Sequence, residues 1–123
     1  MKVLIVEDER RIAAFLAKGL RRQGYDVDCA YTGSEALELA GGEGADPPVD
    51  LVMLDLGLPD IDGLDVLRML RDRGSEVPVI VLTARTEASD RAEALRLGAV
   101  EYLTKPLPFP EVLGSVRSSL AAD

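Results

Sequence analysis

Five short segments that suit β-strands, each followed by a segment with helical periodicity, constrain the fold of this chain more than any other feature. They cover residues 3–6, 27–30, 49–54, 77–82 and 100–103, and most are apolar runs, whereas residues 27–30 alternate. Short continuous apolar runs are typical of strands that are buried on both faces of a sheet. Strands that alternate with helices of about ten or more residues favour a parallel sheet covered by helices on both sides. We therefore predict a doubly wound α/β fold.

The helical segments carry their own start and stop signals. Residues 9–23 place apolar side chains at every third or fourth position and end before Gly24, which suits a left-handed C-cap. The tetrapeptide Thr32-Gly33-Ser34-Glu35 has the form of a capping box and predicts the start of the second helix. Further helices are predicted over residues 64–73, 88–97 and 109–120. Residues 41–48 are rich in glycine and proline and predict a loop within one domain.

Composition excludes several classes of function. The 123 residues fit one domain, and 14 basic against 22 acidic residues give a net charge of −8, which disfavours binding to nucleic acid or anionic membranes. Cys29 is the one cysteine, so no intrachain disulfide can form. The absence of histidine excludes Ser-His catalysis and histidine-metal sites. No apolar run approaches the roughly 20 residues of a membrane helix, and we expect a cytoplasmic protein.

Polar side chains follow four of the five predicted strands. Glu7 and Asp8 follow the first strand, Asp55 follows the third, Thr83 ends the fourth, and Lys105 follows the fifth. Each residue alone could be a helix cap, a strand-end hydroxyl or a surface charge. However, the carboxyl ends of parallel strands meet at one edge of the sheet, where binding sites form in such folds. Their joint occurrence therefore favours a functional site.

Three carboxylates at one edge predict a magnesium site. Two like charges about 4 Å apart repel by about 4 kcal/mol at an effective dielectric constant of about 20, so Lys105 alone does not balance the cluster. Mg²⁺ takes one or two carboxylates together with waters and phosphate oxygens. Asp8 and Asp55 suit direct ligation, and Glu7 suits ligation through water. The backbone carbonyl of Gly57 can complete the protein's share.

The same residues suit phosphoryl transfer to a carboxylate. A metal-bound aspartate can act as a nucleophile towards phosphorus. The ammonium of Lys105 and the hydroxyl of Thr83 can stabilise the phosphoryl oxygens. Phosphohydrolases of the Asp-x-Asp kind carry a second carboxylate two residues after the nucleophile, where this chain has Gly57. The absence of this second carboxylate after Asp55 indicates that an acyl phosphate is kept rather than rapidly hydrolysed.

Sequence motifs at these strand ends resemble the CheY-like receiver domains of two-component response regulators. The motifs are Val6-Glu7-Asp8-Glu9, Leu54-Asp55-Leu56-Gly57-Leu58-Pro59-Asp60-Ile61-Asp62-Gly63, Leu82-Thr83-Ala84-Arg85 and Tyr102-Leu103-Thr104-Lys105-Pro106. The resemblance implies a flavodoxin-like five-stranded sheet with strand order 2-1-3-4-5. It covers residues 1–121 as one receiver domain and leaves residues 122–123 as a tail or the start of a linker. The sequences of these motifs are most similar to those of the OmpR/PhoB class, whose members join a receiver to a DNA-binding domain.

The resemblance also implies a role for each site residue. Asp55 would accept a phosphoryl group from the histidine of a sensor kinase in a Mg²⁺-dependent reaction, with Asp8 as the direct metal ligand. Lys105 would contact the phosphoryl group and would form a cis peptide bond with the proline that follows it. Thr83 and Tyr102 would form a switch pair, in which the hydroxyl moves towards the phosphate and the ring turns inward. Such a domain is a switch that assists only its own phosphorylation and dephosphorylation.

An output surface is implied for the fourth helix, the fifth strand and the fifth helix. In the resembling class this surface forms a symmetric dimer through charged pairs, and DNA is bound only by the output domain. Arg91 with Glu111, and Glu101 with Arg117, are suitable pairs in this chain. The sequence departs from the class at Val100, Leu107, Pro108 and Ser115. These departures weaken the expectation of that dimer and leave the acceptor site intact.

The sequence leaves three other functions open. The first is a Mg²⁺-dependent phosphatase or phosphotransferase with an aspartyl-phosphate intermediate, against which the missing second carboxylate counts. The second is a nucleotide- or flavin-binding domain, but neither a Gly-x-Gly-x-x-Gly nor a P-loop motif is present. The third is a degenerate receiver that serves only as an interaction module. The complete set of acceptor-site residues argues against this last function.

Overall fold

A computed structural model describes residues 1–40 and 48–121. Its elements are β1 (Lys2–Val6), α1 (Arg10–Arg22), β2 (Asp26–Ala30), α2 (Gly33–Leu39), β3 (Leu51–Leu54), α3 (Gly63–Asp72), β4 (Val79–Thr83), α4 (Ala88–Arg96), β5 (Glu101–Thr104) and α5 (Phe109–Ala121). Most of the predicted loop at 41–48 and the predicted tail at 122–123 lie outside the described residues. The strands form one parallel sheet in the order β2-β1-β3-β4-β5. This confirms the doubly wound α/β fold and the implied strand order.

The sheet separates two hydrophobic cores. In β1, Val3 and Ile5 face a core shared with α1 and α5, whereas Leu4 and Val6 face a core shared with α2, α3 and α4. Because both faces are covered, every residue of β3 and β4 is buried. This is why the sequences of β3 and β4 are continuous apolar runs instead of alternating ones. Within residues 1–40 and 48–121, no helix has the length and apolar character needed to cross a membrane.

The predicted starts of two strands are wrong by two residues. β3 begins at Leu51 and β4 at Val79, whereas the apolar runs began at Val49 and Val77. Both of these valines are partly buried against the core without belonging to a strand. Pro78 has no N–H, and it contributes only its carbonyl, which accepts a hydrogen bond from Val52 at 2.9 Å. Apolar packing therefore extends beyond the hydrogen-bonded ladder.

The predicted helix signals are confirmed where the structure describes them. Gly24 has φ of +93° after α1, a conformation that glycine adopts without steric penalty. The Thr32 hydroxyl caps α2 by accepting a hydrogen bond from the Glu35 N–H at 3.1 Å. At α5 the Pro108 carbonyl accepts hydrogen bonds from the N–H groups one turn later, so the helix begins at Phe109.

The start of α3 packs against the backbone of the loop that follows β3. The Gly63 N–H donates to the Leu56 carbonyl at 2.9 Å. A Cβ atom at position 63 would lie 2.5 Å from the Leu56 Cα and 2.6 Å from the Asp55 carbonyl oxygen. Backbone atoms cannot rotate away as a flexible side chain can. Only glycine at this position lets α3 approach the end of β3 so closely.

We expect Gly63→Ala to lower the free energy of unfolding by about 2 kcal/mol, as overpacking of a buried site does. The matched control is Gly114→Ala in α5, where an added Cβ meets no atom within 4 Å. This control should raise the free energy of unfolding by about 0.5–1 kcal/mol, because alanine favours a helix interior over glycine. Denaturant unfolding of both variants checks the pair. Two effects of the same sign would contradict the proposed steric requirement.

Candidate functional site at the carboxyl edge of the sheet

Backbone hydrogen bonds bring the predicted site residues together just past the strand ends. The Asp55 N–H donates to the Val6 carbonyl at 2.9 Å, which ties the end of β3 to the end of β1. The Lys105 N–H donates to the Thr83 carbonyl at 2.8 Å, which ties the end of β5 to the end of β4. Four strand ends therefore contribute side chains to one edge, as the sequence predicted. The Lys105–Pro106 peptide bond is cis, as the resemblance implied.

The ammonium of Lys105 bridges two buried carboxylates. It contacts the Glu7 Oε1 and donates to the Asp55 Oδ2 at 2.9 Å. The second oxygen of each carboxylate accepts a backbone N–H, from Glu9 to the Glu7 Oε2 at 3.2 Å and from Gly57 to the Asp55 Oδ1 at 3.2 Å. Glu7 is only 3% exposed and Asp55 only 9% exposed. Each carboxylate is thus fixed by one ammonium and one amide.

The two carboxyl groups that share Lys105 have pKa values shifted in opposite directions. Burial tends to raise the pKa of Asp55, but the Lys105 ammonium, the Gly57 N–H and the Thr83 hydroxyl together lower that pKa below its ordinary value. Burial dominates at Glu7 and raises its pKa to about 7. Burial also acts to lower the pKa of Lys105, but its two carboxylate partners raise it above the usual value. Of the two buried carboxyl groups, Asp55 is therefore the one that stays ionised at neutral pH.

The acidic cluster fits a hard divalent cation. One carboxylate oxygen from each of Glu7, Asp8 and Asp55 lies within 4.8 Å of the other two. Asp8 is exposed, whereas the other two are buried. An all-oxygen donor set with an open side suits Mg²⁺, which keeps several waters when bound. Because both oxygens of Glu7 already accept hydrogen bonds, that carboxylate suits an outer position through water.

Thr83 and Tyr102 meet at the loop between β4 and α4. Thr83 is 1% exposed, and its hydroxyl accepts a hydrogen bond from the Arg85 N–H at 3.4 Å. The Tyr102 hydroxyl donates to the Arg85 carbonyl at 3.0 Å, and the residue Tyr102 is 7% exposed. Both side chains therefore contact the backbone of the same residue.

The sequence did not single out two residues that hold the loop after β3. Arg85 donates to the Asp62 Oδ2 at 2.7 Å and to the Leu56 carbonyl at 3.3 Å. Asp60 accepts hydrogen bonds from the first turn of α2. The position of Arg85, a basic residue directly after Thr83 and Ala84 at the strand end, was a signal in the sequence for a contact at this edge. No periodic signal points to Asp60, because its partners are 26 and 27 positions away in the chain.

The four residues considered for a dimer have different surroundings. Arg91 on α4 and Glu111 on α5 are both exposed. Glu101 accepts a hydrogen bond from the Ser115 hydroxyl at 2.7 Å. Arg117 donates to the Gln23 side chain, at the end of α1, at 2.9 Å. Glu101 and Arg117 therefore already have partners within one chain.

Comparison with known proteins identifies the family. The family described as the response regulator receiver domain matches residues 3–117, which is nearly the whole chain. The chain belongs to this family and is a receiver domain of the two-component response regulators. Both the sheet order and the arrangement of acidic residues agree with that membership.

Its relatives include transcriptional regulators. The chain is 44% identical over 120 residues to the probable transcriptional regulatory protein SilR of Salmonella typhimurium, a match that covers 98% of this chain and 51% of SilR. The chain thus spans about half the length of this curated relative. The structure is similar to the non-phosphorylated HemR receiver domain from Leptospira biflexa, with a TM-score of 0.90, 34% identity, and coverage of 99% of this chain and 95% of that one. It is also similar to the response regulator TrrA from Thermotoga maritima in complex with Mg²⁺-BeF, with a TM-score of 0.81, 32% identity, and coverage of 97% and 98%.

We expect the metal-free wild-type chain to become less stable as the pH rises, and we expect Glu7→Gln to abolish this pH dependence. A buried acid with a raised pKa stabilises the fold while it is protonated, and this contribution disappears as the pH rises through the folded-state pKa. For Glu7 the pKa rises from 4.5 to about 7. Between about pH 4 and pH 8, the free energy of unfolding of the wild-type chain should therefore fall by about 3 kcal/mol more than that of Glu7→Gln.

Denaturant unfolding with a chelator present, repeated across this pH range, measures the difference. The control Glu111→Gln removes an exposed glutamate on α5 and should follow the wild-type curve. Parallel curves for wild type and Glu7→Gln would show that the buried carboxyl does not titrate in this range.

Proposed function

We propose that Asp55 is the phosphoacceptor of this receiver domain and takes its phosphoryl group from the histidine of a sensor kinase. The observation that carries the proposal is the environment of its carboxylate. Asp55 is buried at the carboxyl edge, Lys105 holds one oxygen at 2.9 Å, and the other two acidic side chains bring oxygens within 4.8 Å. A carboxylate with a lowered pKa in such a place is ionised and fixed in position.

The reaction transfers one phosphoryl group and conserves charge. An Asp55 carboxylate oxygen attacks phosphorus, an acyl phosphate bond forms, and the bond from phosphorus to the kinase imidazole nitrogen breaks. The imidazole keeps the bonding electron pair and is released. Lys105 neutralises charge on the phosphoryl oxygens, and the Thr83 hydroxyl donates to another of them.

We also propose that the site binds Mg²⁺ during this reaction. Asp8 and Asp55 supply direct ligands, the Gly57 carbonyl supplies a third, and Glu7 acts through water. Bound Mg²⁺ contributes charge neutralisation between the carboxylates and the incoming phosphoryl group. The all-oxygen donor set supports this ion, and so does the fold similarity to TrrA, which was solved with Mg²⁺-BeF.

The output of the switch is proposed to be the surface formed by α4, β5 and α5. Thr83 turns towards the phosphoryl group, which changes its contact with Arg85, and Tyr102 bonds to the same residue. This surface would form a homodimer in which Arg91 pairs with Glu111. Glu101 and Arg117 would take part only after leaving their present partners.

Control of transcription is proposed for a DNA-binding output domain outside this chain. The similarity to SilR, of which this chain spans 51%, supports that arrangement and a cytoplasmic location. The chain itself would act as a switch and not as an enzyme with an external substrate. The alternative of a phosphatase with an aspartyl-phosphate intermediate gains no support, because Gly57 stands where the second carboxylate is required.

Incubation with Mg²⁺ and a small acyl phosphate should add one phosphoryl group to the chain, and this group should be lost in hydroxylamine. Intact-mass measurement should show no addition in Asp55→Ala. The control Asp72→Ala removes an exposed aspartate on α3 and should be labelled as fully as wild type. Persistent labelling of Asp55→Ala would assign the acceptor to another residue. Labelling without Mg²⁺ would refute the metal requirement.

Phosphorylation should change the amide hydrogen exchange of residues 84–121, because the contact between Thr83 and Arg85 lies at the start of this segment. Thr83→Ala should accept the phosphoryl group but show a smaller change in exchange. Sedimentation measures the association state in the same samples, with Arg91→Ala as the variant that removes the proposed dimer contact. Identical exchange in phosphorylated and unmodified wild type would argue against this output surface.

A further inference from the structure

A carboxylate outside the acidic cluster fastens the loop between β3 and α3 to a neighbouring helix. The Asp60 Oδ1 accepts a hydrogen bond from the Gly33 N–H at 2.7 Å. Its Oδ2 accepts from the Ser34 N–H at 3.0 Å and from the Ser34 hydroxyl at 2.8 Å. Three hydrogen bonds from the first turn of α2 therefore converge on one side chain of this loop.

Gly33, in the first turn of α2, packs closely against the loop between β3 and α3. A Cβ atom at Gly33 would lie 2.9 Å from the Ile61 Cβ, 3.0 Å from the Val66 Cγ2 and 3.2 Å from the Asp60 Oδ1. Real Cβ atoms do not approach other atoms as closely as the first of these distances. Glycine at position 33 therefore lets the loop lie directly on α2. Hydrogen bonding and packing independently define one contact.

Capping of α2 alone does not account for Asp60. The helix has its own cap, because the Thr32 hydroxyl accepts from the Glu35 N–H at 3.1 Å. The first turn of a helix leaves N–H groups without partners, and Asp60 takes two of these from outside the helix. The N–H groups of Gly33 and Ser34 hold the pKa of Asp60 well below its ordinary range, so it stays ionised at neutral pH. The bonds therefore restrain the loop as well as the helix.

The restrained loop contains Gly57. On its other side, Arg85 donates to the Asp62 carboxylate at 2.7 Å and to the Leu56 carbonyl at 3.3 Å. In sequence, Gly57 lies between Leu56, which Arg85 contacts, and Asp60, which contacts α2. The Gly57 N–H donates to the Asp55 Oδ1 at 3.2 Å. A loop that is released from α2 would move Gly57 and disturb the hydrogen bond on the acceptor.

We propose that Asp60 is a positioning residue for the metal site: by fastening the loop to α2, it holds Gly57 where its carbonyl serves as a Mg²⁺ ligand. The inference rests on the proposed function, which places Mg²⁺ at this edge of the sheet. Asp60 itself touches neither the acceptor nor the metal. Loss of its contact with α2 weakens metal binding through the position of the loop.

Calorimetric titration of the unphosphorylated chain with MgCl₂ tests this role. Asp60→Ala should raise the Mg²⁺ dissociation constant about tenfold, at the lower end of the range for residues that orient metal ligands. Gly33→Ala should weaken binding in the same direction without any change of charge, because the added Cβ displaces the loop. Asp8→Ala, which removes a proposed direct ligand, sets the scale for a larger loss.

Thr32→Ala is the matched control for a purely structural effect. It removes a cap within α2 but leaves the three bonds to Asp60 in place. The variant should unfold at lower denaturant concentration and still bind Mg²⁺ with wild-type affinity. If it weakens Mg²⁺ binding as much as Asp60→Ala does, stability of α2 explains the effect and the inference is overturned.

Ionic strength separates position from charge. Asp60→Ala also removes a negative charge, which attracts Mg²⁺ over a distance. At an ionic strength of about 1 M the Debye length is about 3 Å, so this long-range attraction is largely screened. The difference between Asp60→Ala and wild type should persist there, and its disappearance would reduce the role of Asp60 to its charge.

The outcomes distinguish this inference from the proposed function. A wild-type chain that binds no Mg²⁺ would refute the proposed metal site and this inference with it. A wild-type chain that binds Mg²⁺, together with wild-type affinity in Asp60→Ala and Gly33→Ala, would overturn the inference alone. Should Asp60→Ala not fold, Gly33→Ala and Ser34→Ala carry the test, and unchanged affinity in both overturns it.

Discussion

The contact between the Lys105 ammonium and the two buried carboxylates of Glu7 and Asp55 is the interaction on which the site depends. Two acids this close would otherwise repel each other more strongly. The cation comes from the end of β5, at one edge of the sheet, whereas the acids follow β1 and β3 near its centre. The site therefore exists only when the whole width from β1 to β5 is assembled in order.

Much of the fold could be predicted from the sequence because a strand that is buried on both faces requires apolar residues along its length. Residues 3–6 are buried towards two different cores, so every position of that run must be apolar. The starts of β3 and β4 could not be predicted in this way. Val49 and Val77 pack against the core without joining the ladder, and apolar character does not distinguish packing from hydrogen bonding.

The acidic cluster could be predicted because the end of each parallel strand lies at the same edge, so position along the chain gives position in space. Contacts between loops have no such rule. Asp60 meets Gly33 across 27 positions, and Arg85 meets Asp62 across 23, with no period that connects them. The partners of Glu101 and Arg117 were missed for the same reason. Their residue types were visible, but their neighbours depend on the finished packing.

The position of Lys105 also bears on the order of events during synthesis. Ribosomes release a polypeptide from its amino end, so Glu7 and Asp55 emerge well before the lysine that neutralises them. Completion of the site at the carboxyl edge is thus delayed until most of the domain has left the exit tunnel.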